Sequence, residues 1–171
     1  MVTKMRDGYK ETEIGIIPED WEVIELSNIT DLITKGTTPT TYGYDFVDNG
    51  INFIKIESVN DTYGYLEKIY FSKITDDCHR KLSRSVLEPN DILFAIAGAT
   101  VGKCAMITED QLPANTNQAL AIIRLKSNTN KSYVFHQLRG PIIQVKINQI
   151  KTNTAQPNLN LKQIGDFKIP M

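Results

Sequence analysis

Apolar residues recur at two different spacings along this chain, and the change between them falls near Asn130. Ahead of it, short apolar runs bounded by Gly, Pro, Asn and Asp predict strands over residues 23–26, 30–34, 51–56, 68–72, 92–97, 103–107 and 117–126. Asn49 and Gly50 form a tight-turn pair ahead of the third strand, and Pro89, Asn90 and Asp91 turn the chain into the fifth. Beyond Asn130, Val134, Phe135 and Leu138, then Ile142, Val145 and Ile150, fall at helical spacing and predict helices over 132–139 and 141–150. Gly140 and Pro141 divide the two, Pro141 suiting a first helical turn.

Smaller signals fill the gaps. Residues 75–82 read as a short helix with Thr75 as cap and Asp76 and Asp77 in its first turn. Ser27 suits the cap of a single helical turn, residues 161–164 form another turn, and 167–170 a terminal extended piece. Polar stretches at 35–50, 57–64 and 152–158 read as loops. Residues 1–13 are polar and read as a flexible N-terminal segment; Ile16, Ile17 and Trp21 start the ordered part, with Pro18 turning the chain. With no internal repeat, the pattern predicts one α+β domain over 14–171, with a twisted, mostly antiparallel β core and C-terminal helices.

Length and composition fit that picture: 171 residues, 41% hydrophobic and 23% charged, suffice for one domain with a real core. No apolar run is long enough to cross a bilayer, and no apolar stretch near the start suits a secretory signal, so a cytoplasmic address is expected. Cys78 and Cys104 are too few for a disulfide framework and suit a reducing compartment. The net charge of −1 argues mildly against a nucleic-acid binder. Its distribution says something else: residues 1–100 hold 10 Lys/Arg and 17 Asp/Glu (−7), whereas 101–171 hold 9 and 3 (+6). Folding can either preserve that polarity or interleave the halves, and the sequence leaves both open.

Catalytic patterns fail one by one. Gly102 and Lys103 invite a phosphate-loop reading, but Ala97 stands where the first Gly belongs and Cys104 follows the Lys; a tight hairpin turn is expected. His79 and His136 are the only histidines, and Cys78 beside His79 lacks the further ligands a zinc site needs. Neither a nucleophile elbow nor a dinucleotide fingerprint is present. Nothing here asks for an enzyme, a metal or a cofactor.

Several blocks together resemble the type I restriction-modification specificity-subunit family. They are the opening residues 14–26, Gly36-Thr37-Thr38-Pro39, Asn90 to Phe94 with Gly98 and Gly102-Lys103, Asn117-Gln118 entering a strand, and Gln156 to Asn160 ahead of Ile164 and Ile169-Pro170. The resemblance spans residues 14–170 in order. It implies a subunit with two such domains, separated by long helices that bind modification subunits, each domain reading half of a bipartite double-stranded DNA target in the major groove. It further implies partners that carry the S-adenosylmethionine and methylate adenine, and, through them, a restriction subunit. No cofactor is implied on this chain, and no membrane. The chain stops at Met171, where a long helix is expected in that family, so it looks like the first recognition domain alone, with self-association through an exposed docking surface a further expectation.

In this light the polar loops become candidate readers: Lys35, Thr37, Thr38, Thr40, Thr41, Tyr42 and Tyr44 in the first, Ser58, Asn60, Thr62, Tyr63 and Tyr65 in the second. Thr can donate, accept and touch a thymine methyl, and Asn pairs bidentately with adenine. Lys103, Arg124, Lys126, Lys146, Lys151 and Lys162 are candidates for phosphate contacts, which position rather than specify. Taken by residues alone, such loops are equally solvated connections. The alternative to DNA reading is a protein-interaction module using the acidic start or the 132–150 helices.

Overall fold

The computed structural model describes residues 7–153 and 156–171. Residues 1–6 of the expected flexible segment therefore lie outside the described residues. The rest of that segment is not loose: Tyr9–Thr12 (β1) pairs antiparallel with Gly15–Pro18 (β2), Tyr9 opposite Pro18 and Thr12 opposite Gly15. Its turn is closed by Thr12 Oγ1 donating to the Gly15 carbonyl at 2.7 Å, a local side-chain bond that polar composition conceals.

Val23–Glu25 (β3) runs into a 3-10 turn, Leu26–Ile29, whose cap position is Glu25 rather than Ser27. Thr30–Lys35 (β4), Ile51–Ile54 (β5), Val59–Asn60 (β6), Tyr65–Leu66 (β7) and Ser72–Ile74 (β8) follow. After Asp76–Lys81 (α1) come Ile92–Ala95 (β9), Cys104–Met106 (β10), Ala114–Thr116 (β11) and Leu120–Leu125 (β12). The chain closes with Lys131–Arg139 (α2), Pro141–Asn153 (α3), Leu161–Gly165 (α4) and Lys168–Pro170 (β13). Thr75 caps α1 as expected, accepting from the Cys78 amide at 3.2 Å.

The centre is an antiparallel four-stranded sheet in the order β10-β9-β12-β4, beside a three-stranded sheet in the order β11-β5-β8. Ile92, Phe94, Ala121, Ile123 and Leu125 face the helices, packing with Val134, Leu138, Ile147, Ile164 and Phe167. Their neighbours Leu93, Ala95, Leu120 and Ile122 face the other way, onto Ile54, Val59, Leu66, Leu87 and Ala114. Burial on both faces is why β9 and residues 120–123 of β12 read as continuous apolar runs rather than alternating ones. Each of the Val, Leu, Ile and Phe side chains contributes about 1.5–3 kcal/mol on burial.

Two departures have local causes. The strand expected at 68–72 forms only from Ser72, because its partner β5 is short and pairs Phe53 with Ser72 and Ile51 with Ile74; residues 68–70 make a 3-10 turn instead. Strand β11 was not expected, since Asn115 and Thr116 are polar, yet it lies buried and parallel to β5. Its polar atoms are satisfied: Asn115 Nδ2 donates to the Leu82 carbonyl (3.0 Å) and Ser85 Oγ (3.1 Å), and Thr116 Oγ1 to the Ile54 carbonyl (2.8 Å).

The two charged halves interleave. Lys168 meets Glu25 at 2.9 Å and Glu13 at 3.6 Å, and Lys68 meets Asp110 at 2.5 Å. Arg124 grips the fully buried Asp91 through Nε to Oδ1 and Nη2 to Oδ2, both at 2.8 Å. That places the Asn90–Phe94 block in the scaffold: Asp91 also accepts from the Glu88 amide at 2.8 Å. No helix among the described residues is long and apolar enough to cross a membrane.

Candidate functional site

Register decides which loops meet. Lys35 at the end of β4 lies opposite Ala121, Leu120 at the start of β12 opposite Ala95, and Cys104 at the start of β10 opposite Phe94. The connections after β4, before β12 and between β9 and β10 therefore leave from one end of the four-stranded sheet. At about 4.8 Å per strand, that end is roughly 14 Å across. The C-terminal block joins it: Ala97 bridges Asn158, Gly98 N donates to the Pro157 carbonyl and Leu159 N to the Ile96 carbonyl, both at 2.9 Å.

The first loop is built against β11. A side chain on Gly36 would overlap the Thr116 carbonyl, so only glycine lets β4 pass there, and Thr37 N then donates to that carbonyl at 3.2 Å. Thr38 Oγ1 donates to Gln118 Oε1, tying the loop to the connection before β12. Buried Pro39 opens the 3-10 turn Pro39–Tyr42, which leaves Thr40, Thr41 and Tyr42 exposed. Tyr44 is half-buried, packing on the cluster of Phe53, Ile74, Cys78 and Leu82.

Sequence reasoning missed what flanks this loop. Lys81 Nζ lies 5.3 Å over the Tyr42 ring, and Arg84 Nη2 donates to Thr37 Oγ1 at 3.3 Å. The available signal was the cluster Arg80, Lys81 and Arg84, three bases with no acid among them.

The second loop is a small hairpin, β6 with β7, Val59 opposite Leu66 and Asn60 opposite Tyr65. Ser58 does not belong with the readers: it is fully buried, its Oγ donating to the Tyr70 carbonyl at 3.4 Å, because the chain turns inward there to bury Val59. Asn60 is committed within the hairpin, Nδ2 donating to Glu67 Oε1 at 2.5 Å and to Tyr65 Oη at 3.4 Å. Thr62 and Tyr63 are exposed at the tip, with the Tyr63 and Tyr65 rings stacked at 5.8 Å and 16°. Arg139 of α2 joins this tip to the sheet end, Nη1 donating to the Cys104 carbonyl at 3.4 Å and Nη2 to the Asp61 and Thr62 carbonyls at 2.8 and 3.1 Å.

The basic candidates divide sharply. Arg124 is held by Asp91 and Glu88, and the hydrogen bond to Asp91 raises its pKa. Lys126 donates to the Asn28 carbonyl at 2.8 Å, Lys146 lies 5.5 Å over the Phe167 ring, and Lys162 pairs with Asp166 at 2.6 Å. Lys35, exposed, and Lys103, half-buried in the β9–β10 turn, stand at the shared sheet end. Lys151 is half-buried in the last turn of α3. None of these three, nor Lys81 or Arg84, makes an ion pair among the described residues. Of the third loop, residues 154 and 155 lie outside the described residues, while Thr152 Oγ1 donates to the Gln149 carbonyl at 3.0 Å.

Burial raises the Cys78 thiol and pushes Cys104 up to about 12, so neither is a poised nucleophile. His79 Nδ1 is tied to Asn115 Oδ1 at 2.5 Å, and His136 sits exposed on α2. A groove of about 620 Å3 between Glu13, Ile14, Lys168 and α3 is lined chiefly by Pro141, Ile142, Ile143 and Val145, which offer no nucleophile.

Comparison with known proteins fits this geometry. A family model described as "Type I restriction modification DNA specificity domain" matches residues 18–171. The specificity subunit of the type I restriction enzyme MjaVIII of Methanocaldococcus jannaschii is 27% identical over 169 residues, covering 96% of this chain and 38% of that protein. The EcoBI specificity subunit of Escherichia coli is 29% identical over 172 residues, covering 96% and 33%. The chain thus spans about a third of the length of these relatives. The crystal structure of the HsdS subunit from Thermoanaerobacter tengcongensis superposes with a TM-score of 0.64 at 17% identity, over 91% of this chain and 38% of that one.

Proposed function

Because the chain belongs to the type I restriction modification DNA specificity domain family, we propose that it is a DNA target recognition domain that reads one half of a bipartite double-stranded target. The observation that carries the reading is the gathering of polar loops and unpaired cations at one sheet end roughly 14 Å across, close to the major-groove width of about 12 Å. Thr40, Thr41, Tyr42, Thr62 and Tyr63 present exposed polar groups suited to base edges. Lys35, Lys81, Arg84 and Lys103 surround them and suit phosphates, which fix the register of the protein on the duplex. Thr37 and Thr38 are spent on Arg84 and Gln118, and shape the loop.

In this reading the chain does no chemistry. It holds a partner adenine methyltransferase, the modification subunit, over a chosen base, which that partner draws out of the stack. S-adenosylmethionine binds there, and the restriction subunit joins through it. The complex works in the cytoplasm, where the thiols of Cys78 and Cys104 stay reduced.

The test is a titration of a mixed-sequence duplex against salt. Four phosphate contacts predict a slope of log K on log salt of about −3 to −4, with Lys81→Ala and Arg84→Ala each reducing it by about 1. Binding without salt dependence, or no binding at low salt, would leave the protein-interaction reading instead.

A further inference from the structure

Arg139 does more than decorate the end of α2. The β6–β7 hairpin is only two residue pairs long, too short to hold its own connection rigid. Its base is anchored by buried Val59 and Leu66. Its tip, residues 61–64, has one backbone tie within the hairpin, Gly64 N donating to the Asn60 carbonyl at 2.8 Å. Within the hairpin the Tyr63 amide also donates to Asn60 Oδ1 at 3.3 Å and the Tyr63 ring stacks on Tyr65, whereas the tie from the tip to the sheet comes from Arg139. Its guanidinium donates to three carbonyls, those of Asp61, Thr62 and Cys104, and so bridges the hairpin tip to the first residue of β10.

Two further features show that the fit is close. Gly64 sits at φ +75° with its Cα against the guanidinium, and any side chain there would overlap Arg139 and the Phe135 ring. The guanidinium also lies 5.4 Å over the Phe135 ring, a cation–π contact that adds to its hold. A planar fork with several donors can take two successive carbonyls at once; an ammonium cannot hold them in a fixed geometry. All three acceptors are backbone atoms, so this bridge sets the path of the loop whatever side chains the loop carries.

We infer that Arg139 is a positioning residue for DNA reading: it fixes the 61–64 tip so that Thr62 and Tyr63 meet base edges in one geometry. The inference rests on the DNA-reading function proposed above. It assigns Arg139 a role distinct from the phosphate-facing cations, because its donors are turned into the protein.

The test is selection from a randomised duplex pool with the full 171-residue chain, wild type and three variants: Arg139→Gln, Arg139→Lys and Tyr63→Ala. Tyr63 is 72% exposed, so its truncation leaves the fold intact. The expected result is that Arg139→Gln and Tyr63→Ala lose base preference at the same position of the wild-type motif. Affinity for the selected duplex then falls about tenfold, or about 1.4 kcal/mol, while that for a scrambled duplex changes by less than about twofold. Arg139→Lys falls between wild type and Arg139→Gln, and carries the comparison if the Gln variant fails to fold. A wild-type motif retained by the Arg139 variants, with selected and scrambled affinities unchanged or reduced alike, overturns the inference alone. A wild-type chain that enriches no motif overturns the DNA reading, and the inference with it.

Discussion

Replacing Asp91 with Ala removes the acceptor that Arg124 was folded to meet, and the structure sets the size of the effect. The Asp91 side chain is fully buried and accepts three hydrogen bonds: two from Arg124, both at 2.8 Å, and one from the Glu88 amide at 2.8 Å. Breaking a buried pair from one side costs about 3–5 kcal/mol, because the surviving charge stays desolvated. Arg124 is 23% exposed and keeps Glu88 and the Val86 carbonyl, so the low end, about 3 kcal/mol, applies. For a chain this long, that lowers Tm by roughly 6–12 °C. Thermal and urea unfolding of wild type, Asp91→Ala, Arg124→Met and the double variant would measure it. The double variant should be less destabilised than the sum of the singles by about 1–3 kcal/mol. A single-variant loss below about 1 kcal/mol, with additive singles, would refute the reasoning and reduce the pair to a surface contact.

Three further outcomes follow from the same geometry. Gly36→Ala forces a side chain into the Thr116 carbonyl and should cost about 3 kcal/mol, read by urea unfolding, since the obstacle is backbone and cannot rotate away. Asn160→Ala removes a capping box in which Asn160 Oδ1 accepts from the Gln163 amide at 2.8 Å, and should cost about 1 kcal/mol by the same assay. With both thiols buried and raised, Ellman's reagent at pH 8 should label neither Cys78 nor Cys104 in the native chain, and both after denaturation.

What sequence could show depended on whether the cause was local. The central strands and the two long helices declare themselves through apolar spacing, and Thr75 through its cap, because these signals lie within a few residues. Strand β11 was hidden, since the partners that make Asn115 and Thr116 tolerable in the interior are 30 to 62 residues away. The site divides in the same way. Exposed Thr40, Thr41, Tyr42, Thr62 and Tyr63 could be picked from loop composition. Buried Ser58 could not be told from them, nor could Arg124 be told from a solvated base, because both are decided by distant partners: the Tyr70 carbonyl and Asp91. Lys81, Arg84 and Arg139 gain their places only when α1 and α2 are brought beside the loops.

The central claim is that this chain tells one DNA sequence from another. The most direct test is the ratio of its affinities for a duplex enriched by selection and for a scrambled duplex of equal length, at about 150 mM salt. Contacts to a few base pairs, each worth about 1–3 kcal/mol, predict a ratio of about a hundredfold or more. A ratio near one, with both duplexes bound and both losing affinity equally with salt, would contradict the account, leaving a domain that holds the backbone without reading the bases.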